Sequence, residues 1–450
     1  MTTIQNRSTI KRVVLTTLTT LLASATLVHA QSRQIPAPPQ EHPIVIKGAT
    51  IHTIAGEVLE NGYVVFEDGV ITHVGQGEVP QVDGTLVAVH DGDGLHVYPG
   101  LFVLDTEVGL QEISAVGVTV DHTEFGRVRP EVRAAVAVNP DSDLIPVARA
   151  NGILTALVSP KGGLISGRSS LMRLDGWTWE AMAIEQDAGL VVNWPRTEPI
   201  DAWWMQQSEA EQRREIEQDL RSIETLFDEA EAYIAARDAD PEQATDLRFE
   251  GMRAALAGEK PVMVRAASVG QIESAVAWAQ RRGLRIIIIG GLEADRAAPL
   301  LLKYDIPVII DGTHRLPNRR HDAYDRVFNL PARLYELGVR FAIAPGTEPA
   351  HVRNLNHIAA TAAAYGLPKE QAIRSVTLSA AEILGVEDQL GSIEPGKAAT
   401  LIITTGDPLE ITTDTLMAYI DGRRIDLGTR QTELYKKYQQ KYKQLGLLND

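Results

Sequence analysis

The sequence predicts an α/β protein: a (β/α)8 barrel of the TIM type inserted into a small β-sandwich, a composite domain built from N- and C-terminal strands. Three observations predict it. At 450 residues with 44% hydrophobic side chains, the chain is long enough for one large domain and a smaller one. Seven short apolar runs beyond residue 99 alternate with helical or loop text, which is the signature of a parallel sheet, and so many repeats argue closure into a barrel. Short β-branched runs separated by turn residues occupy both ends of the chain, so the ends combine and the barrel is an insertion.

Taken in order, Arg7, Lys11 and Arg12 precede an apolar run over 13–27 and the ending Val28-His29-Ala30. That pattern predicts a signal peptide over 1–30, cleaved after Ala30, and an exported protein, periplasmic or secreted. The run is shorter than the roughly 20 apolar residues a spanning helix needs, and no later segment is a spanning candidate. Residues 31–43 (QSRQIPAPPQEHP) read as a Pro-rich tether. From residue 44 to 98, IVIKGATIHTI, YVVFEDGVITHVGQ with a turn at Asp68-Gly69, and LVAVHDGDGLHV predict a small antiparallel sheet.

Residues 99–384 carry the barrel strands GLFVLDT, GILTALVSP, AGLVVNW, PVMVRAA, LRIIIIGG, IPVIID and VRFAIAPG. Between 208 and 237 the apolar positions Ile216, Leu220, Ile223, Phe227, Ala230 and Ile234 recur by threes and fours, predicting an amphipathic helix with a solvated charged face. Over 385–428 the β text returns in LGSIEPGKAATLIITTGDPLE and LMAYIDGRRID, and 429–450 reads as a basic surface helix capping the fold.

Composition narrows the function. Loss of residues 1–30 leaves 40 Lys+Arg against 59 Asp+Glu, a net charge near −19, which disfavours nucleic acid and anionic membrane as partners. The chain has no cysteine, so thiolate metal sites, cysteine nucleophiles and disulfides are excluded. It contains no G-x-S-x-G nucleophile elbow. The segment SPKGGLISGRSS lacks the order of a phosphate loop or dinucleotide fingerprint. It reads as a glycine-shaped loop at the barrel mouth, with Lys161 and Arg168 exposed.

In such a barrel the reactive groups sit at the carboxyl ends of the strands. The first of these is Pro99-Gly100-Leu101-Phe102-Val103-Leu104-Asp105-Thr106-Glu107. It resembles the amidohydrolase superfamily, whose first barrel strand follows a Pro-Gly turn and ends in a metal-binding His-x-His pair. The stretch NGILTALVSPKGGLISGRSSLMRLDG is similar to the Gly-rich second segment of imidazolonepropionase-like members. Leu390-Gly391-Ser392-Ile393-Glu394-Pro395-Gly396-Lys397 resembles the superfamily's return to its sandwich.

The resemblance implies chemistry by a metal-activated water. Its ligands are the paired histidines, two further histidines ending the fifth and sixth strands, and an aspartate after the eighth; some members add a carboxylated lysine or a glutamate on the fourth. This sequence departs at every histidine. Asp105 and Glu107 stand at the pair, Arg265 at the fifth strand, Gly290 or Gly291 at the sixth, and Glu348 in the aspartate position. A guanidinium offers no lone pair, and three carboxylates without imidazole suit zinc poorly, so Arg265 is expected to pair with Asp105 or Glu107.

His314, just past the seventh strand, forms with Arg315, Arg319, Arg320 and His321 a basic loop that is either solvated or a receptor for an anion. His351 and His357 read as ordinary polar residues. Three readings follow. The first is a non-catalytic binding or assembly paralogue with no cofactor, alone as a homo-oligomer or joined to an active amidohydrolase. The second is a hydrolase of carbon–nitrogen bonds other than peptide bonds, acting on cyclic amides or N-acyl amino acids through Asp105, Glu107 and Glu348, as an acid/base pair or around a divalent ion. The third is a binding protein for an acidic small molecule held by Arg265 and His314.

Overall fold

The computed structural model describes residues 34–81, 87–317, 319, 321–346 and 348–448; the predicted signal segment lies outside them. The chain opens with β1 (Ile44–His52), β2 (Val58–Glu67), β3 (Val70–Gln76), β4 (Ala88–Asp91) and β5 (His96–Pro99). The barrel strands follow: β6 (Leu101–Thr106), β7 (Ile153–Val158), β8 (Ile165–Arg173), β9 (Ala183–Asn193), β10 (Val262–Ala266), β11 (Ile286–Gly290), β12 (Val308–Ile310) and β13 (Phe341–Ile343). The chain then returns through β14 (Leu401–Thr404), β15 (Thr415–Ile420) and β16 (Arg423–Arg424).

The eight barrel strands hydrogen-bond in sequence order from β6 to β13. All seven strands expected from their apolar runs are present. The eighth is β8, in the segment read as a loop, and it runs antiparallel to both neighbours. Its Ser169 and Ser170 are fully buried, yet each is satisfied: Ser169 bonds the Ser159 hydroxyl at 2.9 Å, and Ser170 donates to Gln186 O at 2.8 Å. A polar strand paired this way carries no apolar signature. The free edge of β6 is met by Val376, whose carbonyl accepts from Phe102 N–H at 2.8 Å.

The period-2 alternation of the strands sorts two packed layers. Val262, Val264, Ile286 and Ile288 face outward into the helix layer. Met263, Ile287, Ile289 and Ile309 face inward, where Phe102, Leu104 and Leu157 fill the barrel. The main helices are α1 (Glu209–Ala239), α2 (Val269–Arg282), α3 (Arg326–Leu337), α4 (Leu355–Ala364), α5 (Leu378–Leu384) and α6 (Arg430–Gln444). Helix α1 starts on a capping box of Ser208 and Glu211 and buries Ile223, Phe227 and Ala230, the stripe its sequence predicts. Trp278 of α2 meets Phe227 edge-on at 4.9 Å.

Strands β1–β5 and β14–β16 form one second sheet in the order β16-β15-β14-β5-β1-β2-β3, with β4 also on β1. It joins both chain ends, as expected. It is not purely antiparallel, because β1 pairs in parallel with β4 and β5. The sheet rolls up on itself: Ile71 N–H donates to Lys397 O at 2.8 Å, and Gly396 N–H to Ile71 O at 2.8 Å, closing β3 against the chain entering β14. Tyr419, Phe66 and Ile46 fill the space enclosed.

Helix α6 lies on the surface. None of its residues is buried. Among the described residues, no helix is long and apolar enough to cross a membrane.

Candidate functional site

Strand alternation decides what reaches the mouth. Inward positions continue from Met263 to Arg265, from Val191 to Asn193 and from Ile309 to Asp311, so each strand delivers a polar side chain at its carboxyl end. Asp105 is the exception, since Phe102 and Leu104 already hold the inward positions of β6. There the β6–β7 register breaks between Val103 and Thr106, and Asp105 takes φ = +47°. Aspartate tolerates this left-handed conformation better than most residues, and the irregularity re-aims its carboxylate into the mouth.

The result is a cleft of about 510 Å³ lined by Asp105, Glu107, Lys161, Arg265, Asp311 and Glu348 with Gln111, Ser114, His122 and Gln271 around them. Arg265 is fully engaged. Its Nη2 donates to Asp105 Oδ1 at 2.6 Å and its Nε to Oδ2 at 3.3 Å, while Nη1 reaches Pro160 O at 3.0 Å and Asn193 Oδ1 at 3.3 Å. Lys161 Nζ lies 3.0 Å from Asp105 Oδ2 and 2.9 Å from Glu107 Oε1. Burial alone would raise the Asp105 pKa; Arg265 and Lys161 more than reverse this and hold the carboxylate well below its ordinary range. Asp311 is pushed the other way, first by burial and then by the charge of Asp105, against the pull of Arg315 at 2.8 Å.

Four of the five residues singled out in the sequence therefore share the cleft: Asp105, Glu107, Arg265 and Glu348. His314 does not line it. Its Nε2 lies 2.9 Å from Thr361 Oγ1, and burial followed by the neighbouring His357 lowers its pKa. Arg319 is held by Glu293 at 2.6 Å and Arg315 by Asp311, so these members of the basic loop are committed to internal carboxylates; Arg320 lies outside the described residues.

Two cations expected to be exposed are not. Lys161 stands in the cleft, and Arg168 binds Asp187 at 2.7 Å and the carbonyls of Pro130 and Glu131. Sequence reasoning also missed Asp311, although the alternation of IPVIID points it inward. The loop position of Lys161 carries no such signal.

At the end of β11, Gly290 and Gly291 have φ of +98° and +48°, and a Cβ on Gly291 would lie 2.4 Å from Val308 Cγ1. The backbone itself is shaped for the absence of a side chain. Gly291→Ala is expected to destabilise the fold by about 1–3 kcal/mol through overpacking and strain, read as a lower urea midpoint. Among the described residues, no three His, Asp or Glu side chains are grouped so that they could hold a metal ion.

The Amidohydrolase family model matches residues 314–427. Amidohydrolase tasK of Hapsidospora irregularis is 23% identical over 398 residues, covering 80% of this chain; the chain spans 39% of that relative's length. The crystal structure of an amidohydrolase from Thermotoga maritima MSB8 superimposes with a TM-score of 0.74 at 24% identity, covering 85% of this chain and 99% of that one. A prolidase complexed with N-methylphosphonate-L-proline superimposes with a TM-score of 0.52 at 16% identity, covering 85% and 99%. The two solved structures share the fold of this chain.

Proposed function

We propose that this chain, a member of the amidohydrolase superfamily, uses its barrel mouth to bind a small molecule and does not run metal-assisted hydrolysis there. The observation that carries the reading is the pair of cations on Asp105: the Arg265 guanidinium grips it in a fork, and the Lys161 ammonium bridges it to Glu107. The superfamily's metal would need those same oxygens. A divalent ion entering here would meet two fixed positive charges and would have to strip a buried carboxylate of both partners, so the residues present do not fit it. Among the described residues, the imidazole lining the cleft is that of His122, on the loop after β6, and none stands at the strand-end positions held by Asp105, Glu107, Arg265 and Gly290.

A second reading rests on a separate observation. Asp105 and Asp311 face one cleft with their proton affinities driven apart, the arrangement that assigns an acid and a base to one reaction. On that reading Asp311 would hold the proton in a hydrolysis of cyclic amides or N-acyl amino acids.

Elemental analysis of the purified protein, with and without added Zn²⁺ and Mg²⁺, and a hydrolysis panel of those substrates decide between them. Less than one ion per chain and turnover at background under both conditions are expected. Turnover abolished by Asp311→Asn with no metal present would establish the second reading. Stoichiometric metal together with turnover lost in Asp105→Asn would overturn both.

A further inference from the structure

Helix α6 buries none of its side chains against its own chain and is tied to it at its start, where Arg430 Nη1 lies 3.7 Å from Asp143 Oδ2. Its Thr429 capping box fixes where it begins, but none of its 15 residues is buried, and helices of about that length are marginal in water without packing. One face is nevertheless apolar and aromatic. Leu434, Tyr435, Tyr438, Tyr442 and Leu445 recur at helical spacing, and each is more than 40% exposed. At 100° per residue, Arg430, Lys437 and Lys441 run along one flank of that stripe. The helix carries five cations against Glu433 alone, on a chain of net charge −16.

The barrel mouth has the complementary chemistry. The loops leaving β6, β9 and β12 all emerge at the carboxyl ends of mutually parallel strands, hence on one face. They present Val118, Phe125, Trp203, Trp204, Leu316 and Tyr324, every one more than half exposed. Such apolar exposure on one face marks a contact surface. Asp121, Glu124, Asp201 and Glu348 stand on the same loops and the adjoining one after β13, all exposed and in no ion pair among the described residues. A helix of about 22 Å is long enough to lie across a barrel mouth.

We infer that helix α6 of one copy docks across the barrel mouth of a second copy, its Leu–Tyr stripe on the Trp203–Trp204 and Phe125 rim and Lys437 and Lys441 against the unpaired acids. Two α6 helices would repel each other by their like charge, whereas the mouth satisfies both the apolar face and the charge. The contact is heterologous, so a pair in which the copies exchange helices closes it.

Sedimentation of the full chain tests this. The wild type is expected to self-associate, more weakly as salt is raised. Tyr438→Glu/Tyr442→Glu and, separately, Trp203→Ala/Trp204→Ala should each weaken association at least ~tenfold. The two variants mixed should associate better than either alone, because the intact helix of one meets the intact mouth of the other. A chain monomeric at all concentrations overturns the inference. So does association lost with the helix variant but kept with the mouth variant, which would mean helix–helix pairing. Binding of the wild type to phosphatidylglycerol vesicles without self-association would overturn it in favour of a lipid surface.

Discussion

Replacing Arg265 with methionine is expected to cost about 3–5 kcal/mol of stability near neutral pH, because it leaves Asp105 ionised with only Lys161 beside it. The pair is largely withdrawn from solvent, with side-chain exposures of 16% for Arg265 and 8% for Asp105. Screening therefore does little to soften the loss, and raising the salt should not restore it. Methionine keeps the aliphatic bulk, so the change reports charge more than volume.

The pH dependence has a definite sign. The folded-state pKa of Asp105 lies below that of the unfolded chain, so the stability it contributes is complete above the unfolded value of about 4. That stability is lost as pH falls below this value towards the folded one. The gap between wild type and Arg265→Met should accordingly be widest near pH 7 and narrow at pH 3, in urea midpoints measured at both. An equal gap at the two pH values would mean that Arg265 acts by packing alone. No gap at either would remove the cation pair as an organiser of the mouth, and with it the main support for a metal-independent site.

What the sequence made legible follows from which physics leaves a pattern in it. β-branched runs such as IIII at 286–289 announce buried strands, and seven of the eight barrel strands were found from them. Strand β8 was not, because the buried hydroxyls of Ser169 and Ser170 are satisfied by Ser159 and by the Gln186 carbonyl, distant partners that no local pattern records. At the site, Arg265 was legible by family likeness, at the fifth strand's histidine position, and the alternation of PVMVRAA agrees by placing it on the side of Met263. Asp105 was legible only by family likeness, since its inward aim depends on a register break and a left-handed backbone. Lys161 was illegible: a loop lysine reads as solvent-exposed until the fold brings two carboxylates to it. His314 misled for the converse reason, since a histidine beside a strand end looks functional until its ring is seen turned to Thr361.

The other large effect is expected where barrel and companion sheet meet. Asp175 follows β8 with its side chain 2% exposed, and it accepts from Arg149 Nη1 at 2.7 Å, from Arg423 Nη1 at 2.9 Å and from Ala37 N–H at 3.2 Å. Arg149 comes from the barrel's first crossover and Arg423 from β16, so a single carboxylate ties the two sheets and the entering chain together. Arg149 is itself only 5% exposed, so removing the acid strands a buried guanidinium. Asp175→Ala should cost about 3–5 kcal/mol on that account. Arg423→Ala should cost less, because Asp175 keeps Arg149 and the 21%-exposed Arg423 side chain gives up fewer buried contacts. A double-mutant cycle on Arg149 and Asp175, read by urea midpoints, separates coupling from simple loss of packing. Additive single effects would show that the carboxylate is dispensable to the junction. A coupling of about 1–3 kcal/mol would identify it as the staple by which the barrel, though inserted within the second domain's sequence, is held against it.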